Sequence, residues 1–123
     1  MTENGFWNFM EKRWKEGGKA TQLSYVKDVP DPEGRGYGQY IGTGHALLPK
    51  NYQDFSPYDI IGMGKLLFER DIKIKTKEAI LVLLAHQPSK VALTMLKRYN
   101  VRPDKALRFY AKFALEECEM WNE

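Results

Sequence analysis

Few positions in this 123-residue chain carry side chains able to do chemistry. The first group is a glycine-spaced stretch, in which Gly34, Gly36, Gly38, Gly42 and Gly44 are interleaved with Arg35, Tyr37, Tyr40 and His45. That spacing puts Arg, Tyr and His on a compliant backbone, and these types recur in recognition surfaces. It matches neither a Walker loop nor the dinucleotide fingerprint, and no helix start follows at once to hold a phosphate. His45, within Gly42-Thr43-Gly44-His45, is the better functional candidate of the two histidines and would belong to the site if this loop served an enzyme.

The remaining reactive types read as structural. His86 sits at a helix end beside Pro88, where an imidazole is well placed to bond the last carbonyls. Cys118 lies on an apolar helical stripe among Glu116, Glu117 and Glu119, the opposite of the electropositive setting a thiolate needs. No histidine, cysteine and carboxylate spacing suits a metal, and no serine occupies a nucleophile elbow. Neither a cofactor nor a metal is expected, and no residue is singled out as catalytic.

A basic cluster follows at Lys97, Arg98, Arg102, Lys105, Arg108 and Lys112. Arg98 and Arg102 flank a turn, and Lys105, Arg108 and Lys112 share one helical face at 3–4 spacing. Such a face could track a phosphate backbone, giving a nucleic-acid-binding alternative over residues 97–112. Glu116 and Glu119 continue that face, so the stripe is short, and contact with an acidic protein partner is the preferred reading.

Composition agrees with a globular chain: 43% hydrophobic, 28% charged and 13% aromatic. The net charge of +3 does not by itself imply nucleic acid. Charge is unevenly spread. Residues 56–112 carry twelve Lys/Arg against five Asp/Glu, whereas residues 113–123 carry four glutamates and no base. One cysteine excludes an intrachain disulfide, the start lacks the pattern of a signal peptide, and the longest apolar run, Ala79 to Ala85, is far too short for a membrane span. A cytoplasmic protein of one domain, 1–123, is expected.

The elements that would position these groups are announced by glycine. All ten glycines lie at or before Gly64, so irregular backbone is expected early and helix late. Residues 4–16 predict a helix with Asn4 as N-cap and Gly17-Gly18 as stop; Trp7, Met10 and Trp14 share one face, and with Phe6 and Phe9 alongside the helix is strongly aromatic. That surplus predicts a homodimer interface on this helix. Residues 19–52 predict either a long loop or a small hairpin of Gln22–Val29 with Tyr37–Ile41 around Pro30-Asp31-Pro32.

From Ser56-Pro57 the helical signals sharpen. One stripe holds Ile60, Met63, Gly64, Leu67 and Phe68, with Gly64 allowing a close approach. Thr76 is read as the cap of a central, all-round apolar helix. The next stripe is Val91, Ala92, Met95, Leu96 and Tyr99, with Asn100 as a left-handed stop. Pro103-Asp104 opens a last helix bearing Leu107, Tyr110, Ala111, Ala114, Cys118 and Trp121.

The run from Lys77 through Ala79–Ala85, His86-Gln87-Pro88-Ser89 and Met95-Leu96, followed by Ala111, Ala114, Leu115 and Glu116, resembles HEAT-like helical repeats. The resemblance covers residues 76–120 and implies a helical hairpin with a binding role and no catalytic residues. No second copy is evident, which favours a compact bundle over a repeat array.

The expectation is therefore an all-α bundle of four or five helices: an aromatic helix over 1–17, a loop or hairpin over 18–55 and a helical core over 56–123. Its expected role is a non-catalytic protein-interaction module, with contacts at Arg35, Tyr37, Tyr40, His45, Arg98, Arg102 and Lys105. The alternatives are nucleic-acid binding on the basic face and an enzyme acting on a small-molecule or phosphate ligand, with its site at the glycine-rich loop and His45.

Overall fold

The computed structural model describes residues 1–17 and 48–123. Among these the chain is all-α: α1 (Glu3–Gly17), α2 (Pro57–Leu66), α3 (Ile74–Ala85), α4 (Lys90–Val101) and α5 (Arg108–Trp121), with a 3-10 turn at Lys105–Leu107 and no strand. The hairpin or loop expected at Gln22–Val29 and Tyr37–Ile41 lies outside the described residues.

Two helix starts follow local capping chemistry. Ser56 Oγ accepts from the Asp59 N–H at 3.1 Å with Pro57 in the first turn, and Ser89 Oγ accepts from the Ala92 N–H at 3.3 Å. Three expected boundaries differ. The cap of α1 is Thr2 rather than Asn4: its hydroxyl accepts from Gly5 N–H at 3.0 Å and its carbonyl from Phe6 N–H at 2.8 Å. The central helix begins at Ile74, so Thr76 lies inside its first turn. Lys73 makes no side-chain cap there; instead the Glu3 carboxylate, carried by α1, accepts from the Lys73 N–H at 3.1 Å and from the Thr76 hydroxyl. A carboxylate at a helix N-terminus also meets the positive end of the helix dipole.

The third difference is at Asn100, which does not stop its helix. Its Nδ2 donates to Leu96 O at 2.8 Å and to Ala111 O at 3.0 Å, so it stays helical and ties α4 to α5, and α4 ends at Arg102 with φ −146°.

The core is built around α3, where every residue from Ala79 to Ala85 is fully buried. It packs against α5, α4 and α2. The small residues Ala111 and Ala114 on α5 and Ala92 on α4 are likewise fully buried at these contacts.

The aromatic surplus of α1 is covered within the chain. Phe6 and Met10 are fully buried, while Trp7 and Trp14 pack half-buried against the core. Phe9 meets Phe55 edge to face at 5.3 Å, and the Arg13 guanidinium caps both rings at 5.2 and 4.9 Å.

The far end of α3 is closed by side chains. His86 Nδ1 donates to Val82 O at 2.8 Å, and its Nε2 faces Glu117 Oε2 at 2.9 Å. Gln87 Nε2 donates to Leu83 O at 2.9 Å and to Tyr52 O. The His86 bond satisfies the Val82 carbonyl, and the Gln87 bond adds to the His86 N–H that Leu83 O already accepts at 3.3 Å. Among the described residues no helix is long and apolar enough to cross a membrane.

Candidate docking groove and basic corner

The first concavity lies between α2 and α4. Helical spacing puts Ile61, Lys65 and Phe68 along one wall, and Lys90, Val91, Thr94, Met95 and Arg98 along the other. It encloses about 650 Å³. Its floor is set by Gly64: a Cβ there would lie 2.3 Å from Met95 Sδ, so the thioether occupies space that the glycine leaves open. Ile61, Phe68 and Val91 are 39%, 50% and 36% exposed, a cluster of large apolar side chains on the walls of a groove. Among the described residues, the charged groups lining it are Lys65, Lys90 and Arg98, all cations. The Arg98 guanidinium stands 6.0 Å from the Phe68 ring, and Phe68 in turn meets Tyr99 edge to face at 5.9 Å.

A second concavity, about 500 Å³, lies at the corner where α4 turns into α5. Arg102, Lys105, Arg108 and Lys112 line it together with Asn100, Val101 and Pro103, and among the described residues no carboxylate does. All four cations are exposed.

Asp104, in the same turn, is engaged elsewhere. Its Oδ2 accepts from Lys77 Nζ at 2.8 Å and from the Tyr99 hydroxyl, and its N–H donates to Tyr99 Oη at 3.1 Å. Burial pushes the Asp104 carboxyl up, but the hydrogen bonds from Lys77 and Tyr99 outweigh it and hold the group below the usual carboxylate range. Burial, reinforced by Asp104, pushes the Tyr99 hydroxyl well above its ordinary value. Lys77, only 2% exposed, thereby has its charge matched and its ammonium bonded.

A third hollow links the other two, sharing Phe68 and Arg98 with the groove and Val101, Arg102 and Pro103 with the corner. Of the contact residues expected from the sequence, Arg98 therefore stands on the groove rim, and Arg102 and Lys105 stand in the corner. Arg35, Tyr37, Tyr40 and His45 lie outside the described residues.

Sequence reasoning did not single out Ile61 and Lys90 and placed Phe68 and Val91 on apolar stripes without assigning them to a groove. Their apolar periodicity is genuine, but no other described element covers that side of α2 and α4. Among the described residues no group of His, Cys, Asp and Glu side chains could hold a metal ion. No protein-family model, no curated protein and no solved structure matches the chain.

Proposed function

We propose that the chain is a non-catalytic protein-interaction module whose docking site is the α2–α4 groove. Its occupant is an amphipathic helical segment carrying acidic residues beside its apolar face. The observation that carries this reading is the pairing of an apolar groove with cations at Lys65, Lys90 and Arg98, the charged groups that line it among the described residues. From Lys90 to Arg98 the wall runs for about 12 Å, two turns of a bound helix. That length accepts anchors at i, i+3 or i+4 and i+7. Burying Phe68, Ile61 and Val91 supplies the apolar term. Lys65, Lys90 and Arg98 supply orientation and on-rate more than affinity. The HEAT-like reading of α3 and α4 fits the same role, since helical hairpins of that kind serve as binding surfaces.

The test is selection from a displayed random-peptide library against the full chain. Enriched peptides should show apolar residues at helical spacing flanked by Asp or Glu. They should lose binding to Ile61→Asp and Val91→Asp, both exposed positions whose substitution leaves the core intact. Enrichment of peptides that bind these variants as well as the parent would defeat the proposal.

A further inference from the structure

We infer that the α4–α5 corner is a second binding site, separate from the groove, for the phosphodiester backbone of nucleic acid. The starting observation is an imbalance of charge in one concavity. Arg102, Lys105, Arg108 and Lys112 converge there, and among the described residues none of them pairs with a carboxylate. Glu116 and Glu119, which continue the same helical face, do not line the hollow. Asp104, which stands where a helix-capping carboxylate would, makes no side-chain cap and turns instead to Lys77 and Tyr99.

The exposure of these cations decides what kind of anion they suit. A single phosphate held by exposed side chains in water gains little, because each pair is screened and costs side-chain freedom. A polyanion gains differently, since each neutralised phosphate releases condensed counterions. Lys105, Arg108 and Lys112 follow one another at three- and four-residue spacing and line the same hollow, so together they can meet several phosphates of one strand. The concave shape suits the convex edge of a backbone rather than a flat bilayer. Among the described residues the apolar lining is Val101 and Pro103, with no aromatic ring on which a base would stack, so the contact is to the backbone and independent of sequence.

The experiment is fluorescence anisotropy of a labelled random-sequence DNA duplex titrated with the full chain between 50 and 200 mM salt. Four phosphate contacts give a log–log salt slope of about −3 to −4, a loss of roughly a hundredfold in affinity over that range. The pair Lys105→Ala/Arg108→Ala should reduce the magnitude of the slope by about two and weaken every sequence equally. The pair Lys12→Ala/Lys15→Ala, which removes two exposed lysines from α1, should leave it unchanged. Unchanged helical circular dichroism in both pairs separates lost binding from lost fold. The inference is overturned by absence of duplex binding at 50 mM salt, by equal losses in the two pairs, or by binding of inorganic pyrophosphate without binding of the duplex.

Discussion

Trp7 donates its indole N–H to Thr76 Oγ1 across 3.0 Å, joining the first helix to the central one over 69 positions of sequence. The same hydroxyl donates onward to the Glu3 carboxylate, so one side chain serves as acceptor for one residue of α1 and donor to another. The Thr76 hydrogen bond is the main reason the Glu3 carboxyl sits below its ordinary range.

Thr76→Val keeps the shape and removes both bonds. Leaving the half-buried indole N–H without its acceptor costs about 1–3 kcal/mol, read as a lower urea midpoint at unchanged slope. Deleting residues 1–17 is a harsher test of the same relationship. Because Phe6 and Met10 are fully buried, the shortened chain should lose its cooperative transition rather than persist as a soluble folded monomer. A sharp unfolding curve from it would show that α1 is dispensable to the core.

Asp104 predicts a pH dependence of definite sign. Its folded pKa is depressed, so the stability it adds is fully present above the ordinary carboxylate value near 4 and is lost as pH falls through the folded value. Asp104→Asn leaves buried Lys77 without its counter-charge. The loss is about 1–3 kcal/mol near neutrality, below the full buried-pair figure because the Asp104 side chain is 35% exposed. The gap between parent and variant, measured by urea unfolding from pH 7 down to pH 3, should close as the solution becomes acidic. A gap of constant size would mean that the lost interaction does not titrate.

Gly64 sets the shape of the groove through Met95. In Gly64→Ala the new methyl meets the thioether, the flexible end of its side chain, and drives it into the space between α2 and α4. Helix propensity favours the alanine by about 1 kcal/mol and offsets the repacking, so thermal stability should change little. Affinity for a groove-selected peptide should fall roughly tenfold, about 1.4 kcal/mol. Adding Met95→Ala should recover most of it by restoring room. Titration calorimetry on the two variants decides the point.

Cys118 should behave as a reporter of global unfolding. Burial, opposed by a hydrogen bond from Asn122 and reinforced by Glu119 and Glu117, pushes its thiol up to about 11. At pH 8 that leaves roughly a hundredfold less thiolate than in an unfolded chain, in addition to the shielding. Labelling by an aromatic disulfide reagent should be slow in buffer and should accelerate in step with the urea transition. Rapid labelling of the folded protein would show that α5 opens locally.

Much of the helical half is legible in sequence, because its signals are local. Ser56-Pro57 and Ser89 cap the helices they precede, and the unbroken apolar run Ala79–Ala85 marks the helix that all others cover. Asn100 was misread because its side chain finds carbonyls on two helices, and one of them, Ala111, lies eleven positions away. The groove walled by Phe68 and Val91 is not legible for a related reason: periodicity reports which face of a helix is apolar, but not whether another element lies over it.

By itself, then, the sequence determined the helices, the central place of α3 and the excess of positive charge across residues 56–112. Tertiary structure alone decided that Glu3 caps a helix 70 residues away, that Phe68 and Val91 wall a groove instead of filling a core, and that Arg102 joins Lys105, Arg108 and Lys112 in one hollow while Asp104 turns to Lys77. The division follows from range. Backbone capping and burial period are satisfied within a turn or two of chain, whereas a groove or a charged corner exists only where separately specified helices leave their side chains facing a common space.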